Sequence, residues 1–219
     1  MLGRQYDRRV TYAAVMARLR RSYDRAAEER DAMEPQPWKL AERQRFYELV
    51  RVAGGTTLLD IGAGTGVHAE FFKDRGMSVV CTDLSPRLVE RCRQKGLIAY
   101  VMDFRQLDFP EALFDAVYAM NCLLHVPRSD LQTVLLAIGR VLRPGGLFYW
   151  GQYGGRDEEG VREDDRYVPK RFFASLSNEA IEREAGKQFE IADFHAIPLG
   201  PDGFVYQSLT LRAPVSVQR

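Results

Sequence analysis

The densest chemistry in the chain lies in Leu58-Leu59-Asp60-Ile61-Gly62-Ala63-Gly64-Thr65-Gly66. An apolar strand that runs into a glycine-rich turn and then a helix exposes the helix's first N–H groups. It also lets a ligand lie close against the backbone. Twenty-one residues beyond Gly62, Asp83 ends a second apolar segment. An α/β nucleoside site places a carboxylate there to accept hydrogen bonds from ribose hydroxyls. A dinucleotide fingerprint reads G-x-G-x-x-G, but the position for its third glycine holds Val67 and the spacing is G-x-G-x-G. Asp60, two residues before the first glycine, is a poor neighbour for a pyrophosphate and a good one for an ammonium or sulfonium. A nucleoside ligand of cationic character is the better match.

Other reactive residues are sparse. Cys81, Cys92 and Cys122 are the only cysteines, too few for a disulfide framework and without Cys-x-x-Cys spacing. The histidines, His68, His125 and His195, have no metal-ligand spacing, so no metal site is expected. His195 falls in a strand-like segment, where a packed or hydrogen-bonded imidazole is the expectation.

These residues need elements to position them. From Thr57 onward, short apolar segments alternate with longer helical ones. Strands are expected at Leu58 to Ile61, Met77 to Thr82, Ile98 to Met102, Phe114 to Met120 and Leu147 to Gln152. Helices are expected at Gly66 to Arg75, Pro86 to Lys95 and Ser129 to Leu142, the last closed by Arg143-Pro144-Gly145-Gly146. Apolar strands alternating with amphipathic helices mean a parallel sheet covered on both faces, a doubly wound α/β fold. Before it, Tyr12, Val15, Met16, Leu19 and Tyr23 recur at helical spacing, broken near Glu34 to Trp38, with another helix from Ala41 to Val52. After it, Gly154 to Arg166 reads as an exposed acidic loop and Lys170 to Gly186 as a helix. Phe189 to Ile197 and Phe204 to Leu211 are too closely joined for anything but an antiparallel pair.

The 219 residues carry 31 Lys+Arg and 30 Asp+Glu, a net charge of +1, with 46% hydrophobic residues. That profile describes one globular domain and argues against a dedicated nucleic-acid binder. Apolar runs fall short of a bilayer span, and Met1 to Arg9 lacks a signal-peptide core, so a cytoplasmic location is expected. Charge is uneven locally: residues 1–30 hold eight Arg against four acids, and 154–166 hold six acids against three Arg. If that acidic stretch faces the site, it favours a cationic or amine substrate.

The motif D-x-G-x-G-x-G followed by Asp83 resembles the class I S-adenosylmethionine-dependent methyltransferase family. Asp103-Phe104, Phe114 to Asn121 and Leu142 to Leu147 resemble its later motifs in register. The resemblance implies a Rossmann-like sheet of seven strands with the last inserted antiparallel. It also implies an N-terminal helical lid (1–40) on a single domain (41–219), with an inserted loop at 154–168. S-adenosylmethionine is the implied cofactor and S-adenosylhomocysteine its product. Asp60, Gly62, Ala63, Gly64 and Gly66 are placed at the methionine end. Asp83 and Leu84 are placed at the ribose, Asp103 and Phe104 at the adenine, and Asn121 near the methionine part. Tyr23 and Trp38 belong to the lid. Tyr153 is the candidate for substrate contact, and His125 for a base or acceptor-orienting group.

The expected reaction is methyl transfer to an oxygen or nitrogen of a small molecule, by a monomer or homodimer with no nucleic-acid or membrane partner. A catalytically silent cofactor-binding protein on the same fold is the main alternative, and an NAD-dependent oxidoreductase a weaker one.

Overall fold

The computed structural model describes residues 11–200 and 203–215. The polar Met1 to Arg9 segment and Pro201-Asp202 of the last connection lie outside them.

The parallel strands are β1 (Thr57–Ile61), β2 (Ser78–Asp83), β3 (Ile98–Val101), β4 (Phe114–Met120) and β5 (Leu142–Gly154). With β8 (Glu190–Pro198) and β9 (Val205–Arg212) they form one seven-stranded sheet in the order β3-β2-β1-β4-β5-β9-β8. β9 pairs antiparallel with both β5 and β8, so it alone runs against the rest. This is the Rossmann-like class I arrangement expected above, with the last strand inserted antiparallel.

Side chains alternate across the strands, and each face has its own core. Leu59, Ile61, Val117, Ala119, Phe148 and Trp150 pack beneath α6 (Arg128–Val141) and α7 (Asn178–Ala185). Leu58, Ala116, Tyr118, Leu147 and Tyr149 pack beneath α3 (Pro37–Val52), α4 (Val67–Lys73) and α5 (Pro86–Gln94). Helix starts follow local chemistry. Ser85 caps α5 by accepting from Leu88 N at 3.2 Å, with Pro86 in the first turn. α3 begins at Pro37 rather than Ala41, because a proline in the first turn gives up no hydrogen bond and has the right φ.

Two expectations are corrected in the insert. Within the segment read as a loop, Glu158–Val161 is a strand, β6. Within the segment read as a helix, Phe172–Ser175 is a strand, β7, antiparallel to β6, and only Asn178–Ala185 is helical. The reason is tertiary. Phe172 and Ala174, two apart, pack on Val15, Met16 and Leu19 of α1 (Tyr12–Arg25), and Ser177 caps the helix that follows.

α1 and the short α2 (Ala27–Asp31) therefore lie over the carboxyl ends of the parallel strands. Asp24 accepts from Ser85 Oγ at 2.5 Å, and Asp31 pairs with Lys95 at 2.9 Å. No described helix is long and apolar enough to cross a membrane.

Candidate cofactor and acceptor site

β1 delivers Asp60 to the carboxyl edge of the sheet and turns there. Gly62 and Gly64 take φ of +62° and +59°, and Ala63 N donates to Thr82 O at 3.0 Å, tying the turn to β2. A Cβ on Gly62 would sit 2.4 Å from Cys122 Cβ, whereas one on Gly64 would meet only Arg30 Nη2, at 3.8 Å. One glycine is needed against the protein, and the other keeps an open face.

Asp83 Oδ2 accepts from Gly64 N at 2.9 Å, and Oδ1 from Ser85 N at 2.9 Å. Burial pushes its carboxyl up to about 6, opposed by those two N–H groups and by the charge of Arg30. Asp60 is 3% exposed, and its Oδ2 has no hydrogen-bond partner among the described residues. Burial and then the charge of Asp83 raise its carboxyl well above the usual range. Two buried carboxylates without a cation between them form a site that attracts positive charge. Asn121 adds a further unpartnered atom. Its φ is +57°, its N–H donates to Gly151 O at 2.7 Å, and its buried Oδ1 has no hydrogen-bond partner among the described residues.

The other predicted residues differ in how near they come to this floor. Asp103 Oδ1 accepts from Tyr12 Oη at 2.5 Å and from Arg105 N at 2.8 Å. Phe104 is buried and backs the Gly62 turn, while Leu84 packs on the cluster formed by α1 and β7. Trp38 lies 4.4 Å from the Tyr206 ring and 6.3 Å from that of Tyr153. Tyr153 stacks on Phe204 at 5.6 Å, and its hydroxyl donates to Gln36 at 3.2 Å. His195 is hydrogen-bonded between Glu42 (3.1 Å) and Asp193 (2.9 Å), away from the turn.

His125 sits in a 3-10 turn, 2% exposed. Its Nδ1 lies 2.7 Å from Phe172 O, and a carbonyl only accepts, so Nδ1 carries the hydrogen. Nε2, 2.9 Å from Tyr23 Oη, then accepts the phenol hydrogen, while Arg171 Nη1 donates to that oxygen at 3.0 Å. Burial, then the charge of Arg171, lowers His125 to about 3. It is a neutral imidazole with both nitrogens engaged. Replacing Tyr23 by Phe is therefore expected to cost about 1–3 kcal/mol, by leaving Nε2 buried without a donor. Urea unfolding should show a lower midpoint at unchanged slope. An unmoved midpoint would show that the contact contributes nothing.

Arg30, Lys39, Tyr12, Tyr167 and Arg171 were not anticipated. Arg30 is one of the eight arginines among residues 1–30, and it lies on α2, beyond the break from α1 at Ala26. Tyr12 lay on the apolar stripe, where packing was the natural expectation.

A seven-stranded sheet with one antiparallel insertion, a left-handed glycine turn and paired acids at the ends of β1 and β2 are the features of the class I S-adenosylmethionine-dependent methyltransferase fold. S-adenosylmethionine is the cofactor of that class. In agreement, residues 59–150 match the family described as "Methyltransferase domain".

The chain is 32% identical over 133 residues to the demethylmenaquinone methyltransferase of Tropheryma whipplei (strain Twist). That match covers 59% of this chain and 53% of the relative. It is 39% identical over 130 residues to the sterol 24-C-methyltransferase erg6 of Aspergillus fumigatus, covering 50% of this chain and 34% of the relative. The chain thus spans about half or less of the length of these relatives. Among solved structures, the 1,6-didemethyltoxoflavin-N1-methyltransferase of Burkholderia thailandensis, solved with S-adenosylhomocysteine, superposes with a TM-score of 0.74. It is 20% identical, and the superposition covers 96% of this chain and 93% of the other.

Proposed function

We propose that this protein transfers a methyl group from S-adenosylmethionine to an oxygen or nitrogen of a small molecule. The observation that carries the reading is the pair of buried carboxylates at a glycine turn, one with an unpartnered oxygen and the other with spare acceptor capacity. When bound, the cofactor supplies a methyl group already activated on a cationic sulfur, so the protein's work is placement and electrostatics.

Asp60 and Asp83 provide negative charge for a cationic ligand. Each oxygen of Asp83 spends one lone pair on a backbone N–H and keeps another for a ligand hydroxyl. Gly64 leaves the approach clear. Asn121 and Tyr153 end the strands that flank the acceptor side. The lid helices cover the cleft and exclude water, which strengthens the charge interactions beneath them. His125 acts as a positioning residue in this scheme. Its lone pair is filled by Tyr23, and its low pKa makes it a poor receiver of a substrate proton.

The test is calorimetry with S-adenosylhomocysteine, followed by transfer of a labelled methyl group to a panel of hydroxyl, amine and activated-carbon acceptors. Binding with transfer to oxygen or nitrogen supports the proposal. Transfer to carbon would revise the acceptor atom, in line with the name of the sterol relative. Binding without transfer to any acceptor would favour the silent cofactor-binding alternative. Binding of NAD in place of the homocysteine nucleoside would overturn the reading.

A further inference from the structure

A cavity of about 300 Å³ lies between α6, α7 and the two crossings that join the β6–β7 insert to the sheet. That is the lower end of the range in which proteins hold small molecules, about 300–1,000 Å³. Leu131 and Ala180, from the two helices, and Leu176, from the crossing after β7, give it an apolar floor. They are 4%, 2% and 4% exposed. None of the lining residues belongs to the cofactor floor of Asp60, Asp83 and Asn121.

The rim is charged and incompletely paired. Arg128, Arg183 and Lys187 face Asp157 and Glu184, so the lining carries one cation more than it has carboxylates. Glu184 is occupied, since Lys187 Nζ lies 2.7 Å from its Oε2 and Gln132 Nε2 donates to the same oxygen at 2.8 Å. Asp157 Oδ1 accepts from Ser177 N at 3.0 Å and lies 3.3 Å from Arg128 Nη2, which also donates to Ser175 O. Arg128 Nε is buried and has no acceptor among the described residues. Glu159, just outside the lining, spends an oxygen on Arg128 N at 2.9 Å and forms no ion pair with a described residue's guanidinium on α6. Arg183 comes no nearer than 3.8 Å to Glu184, and its side chain is 63% exposed. A buried N–H donor and an unbalanced positive charge thus stand over an apolar floor. The partner they lack is an acceptor with negative charge.

We propose that this cavity is a second ligand site, for a small carboxylate with a short apolar tail. Arg128 and Arg183 receive the carboxylate, and Leu131, Leu176 and Ala180 receive the tail. The inference goes beyond methyl transfer and does not depend on it. Asp157 precedes β6 and Leu176 follows β7, so the ligand touches both crossings of the insert whose β7 packs on α1.

The experiment titrates hexanoate, its neutral isostere hexanamide, the cation hexylammonium and the tailless acetate into the full chain, with and without saturating S-adenosylhomocysteine. Hexanoate is expected to bind at least about tenfold more tightly than each of the others, and equally well with the nucleoside present. In methyl-labelled protein its addition should shift the resonances of Leu131 and Leu176. Arg128→Met should narrow the preference for hexanoate over hexanamide to within about threefold. Arg183→Met, at an exposed side chain, should lower hexanoate affinity at least about threefold with the melting temperature unchanged. This second variant decides the matter if loss of the Arg128 bond to Ser175 O prevents folding of the first.

Equal or absent binding of the four probes overturns the proposal, as does a hexanoate preference that survives the substitutions. Loss of hexanoate binding in the presence of S-adenosylhomocysteine would place the carboxylate in the cofactor cleft and overturn it too. So would methyl shifts that leave Leu131 and Leu176 unmoved.

Discussion

Asp60→Asn should give a free protein that is more stable at pH 8 and binds its cofactor more weakly. The ordinary carboxyl value is 3.8, and burial beside Asp83 raises that of Asp60 well above it in the folded chain. A group whose folded pKa is raised contributes stability below its unfolded value and loses it as pH climbs through the folded one. Asp83, raised to about 6, behaves in the same way, so the loss develops from about pH 4 and is complete for Asp83 above about 6. The uncharged amide removes the Asp60 share of that penalty. A gain of about 1–3 kcal/mol follows for a buried unpaired charge, worth a rise in Tm of roughly 2–4 °C per kcal/mol in a domain of this size.

The gain should fade as pH is lowered toward 4, because the wild-type carboxyl is then neutral as well. S-adenosylhomocysteine affinity should fall about tenfold or more, since a fixed charge aimed at the ligand is lost. Thermal melts of both proteins from pH 4 to 8, with calorimetry at pH 8, check both halves. A pH-independent difference in Tm, or destabilisation at pH 8, would show that Asp60 carries no buried charge. Stability sacrificed at a binding site is the usual pattern where unpaired charge serves a ligand.

Alanine at Gly62 and alanine at Gly64 should have opposite profiles, although both residues have nearly the same φ. Either substitution costs about 1–2 kcal/mol for forcing a side chain into the left-handed region. At Gly62 the new Cβ also collides with Cys122, a buried neighbour anchored by its Sγ–H to Ile61 O at 3.2 Å. Overpacking adds about 1–3 kcal/mol, for a total of roughly 2–5 kcal/mol. Gly62→Ala should therefore melt far lower, or fail to accumulate as folded protein. At Gly64 the methyl meets only the end of Arg30, so the protein should fold with the modest loss alone. Its methyl group then protrudes on the ligand side, and S-adenosylhomocysteine affinity should drop more than tenfold. Equal melting temperatures for the two variants, or full nucleoside affinity in Gly64→Ala, would contradict this division between a packing glycine and a ligand glycine.

The chemistry of the floor was legible in the sequence because it is built from contiguous segments. Asp60, the turn glycines and Asp83 sit at strand ends, and strand ends are visible wherever an apolar run meets glycine or a polar residue. The near-continuous apolar runs of β4 and β5 likewise announced a sheet covered on both faces. The insert was misread for the complementary reason. Phe172 and Ala174 are apolar because α1 lies against them, and α1 is more than 140 residues away in the chain. With no knowledge of that surface, Lys170 to Gly186 offers a helix by composition, and the charges of 154–166 suggest an open loop. The sequence singles out His125 as a candidate base or acceptor-orienting group. Its role depended on Tyr23 and Arg171, both distant in sequence, which turn an available imidazole into a held one.

Local pattern by itself determined the parallel sheet, the nucleoside-type turn and its preference for positive charge over pyrophosphate, because those features depend on neighbours a few residues apart. Tertiary structure alone decided which charges stay unpaired. Several basic residues near the mouth meet an acid brought from another element, as Lys95 meets Asp31 and Arg166 meets Glu29, whereas Arg30 forms no ion pair with a described residue. Net charge and local charge runs cannot show this, since a counter-ion is set by distance in space. The acidic stretch that reads as a hint of an amine acceptor is in large part paired with arginine and lysine once folded, as Asp164 with Arg162, Glu163 with Lys170 and Asp165 with Arg171.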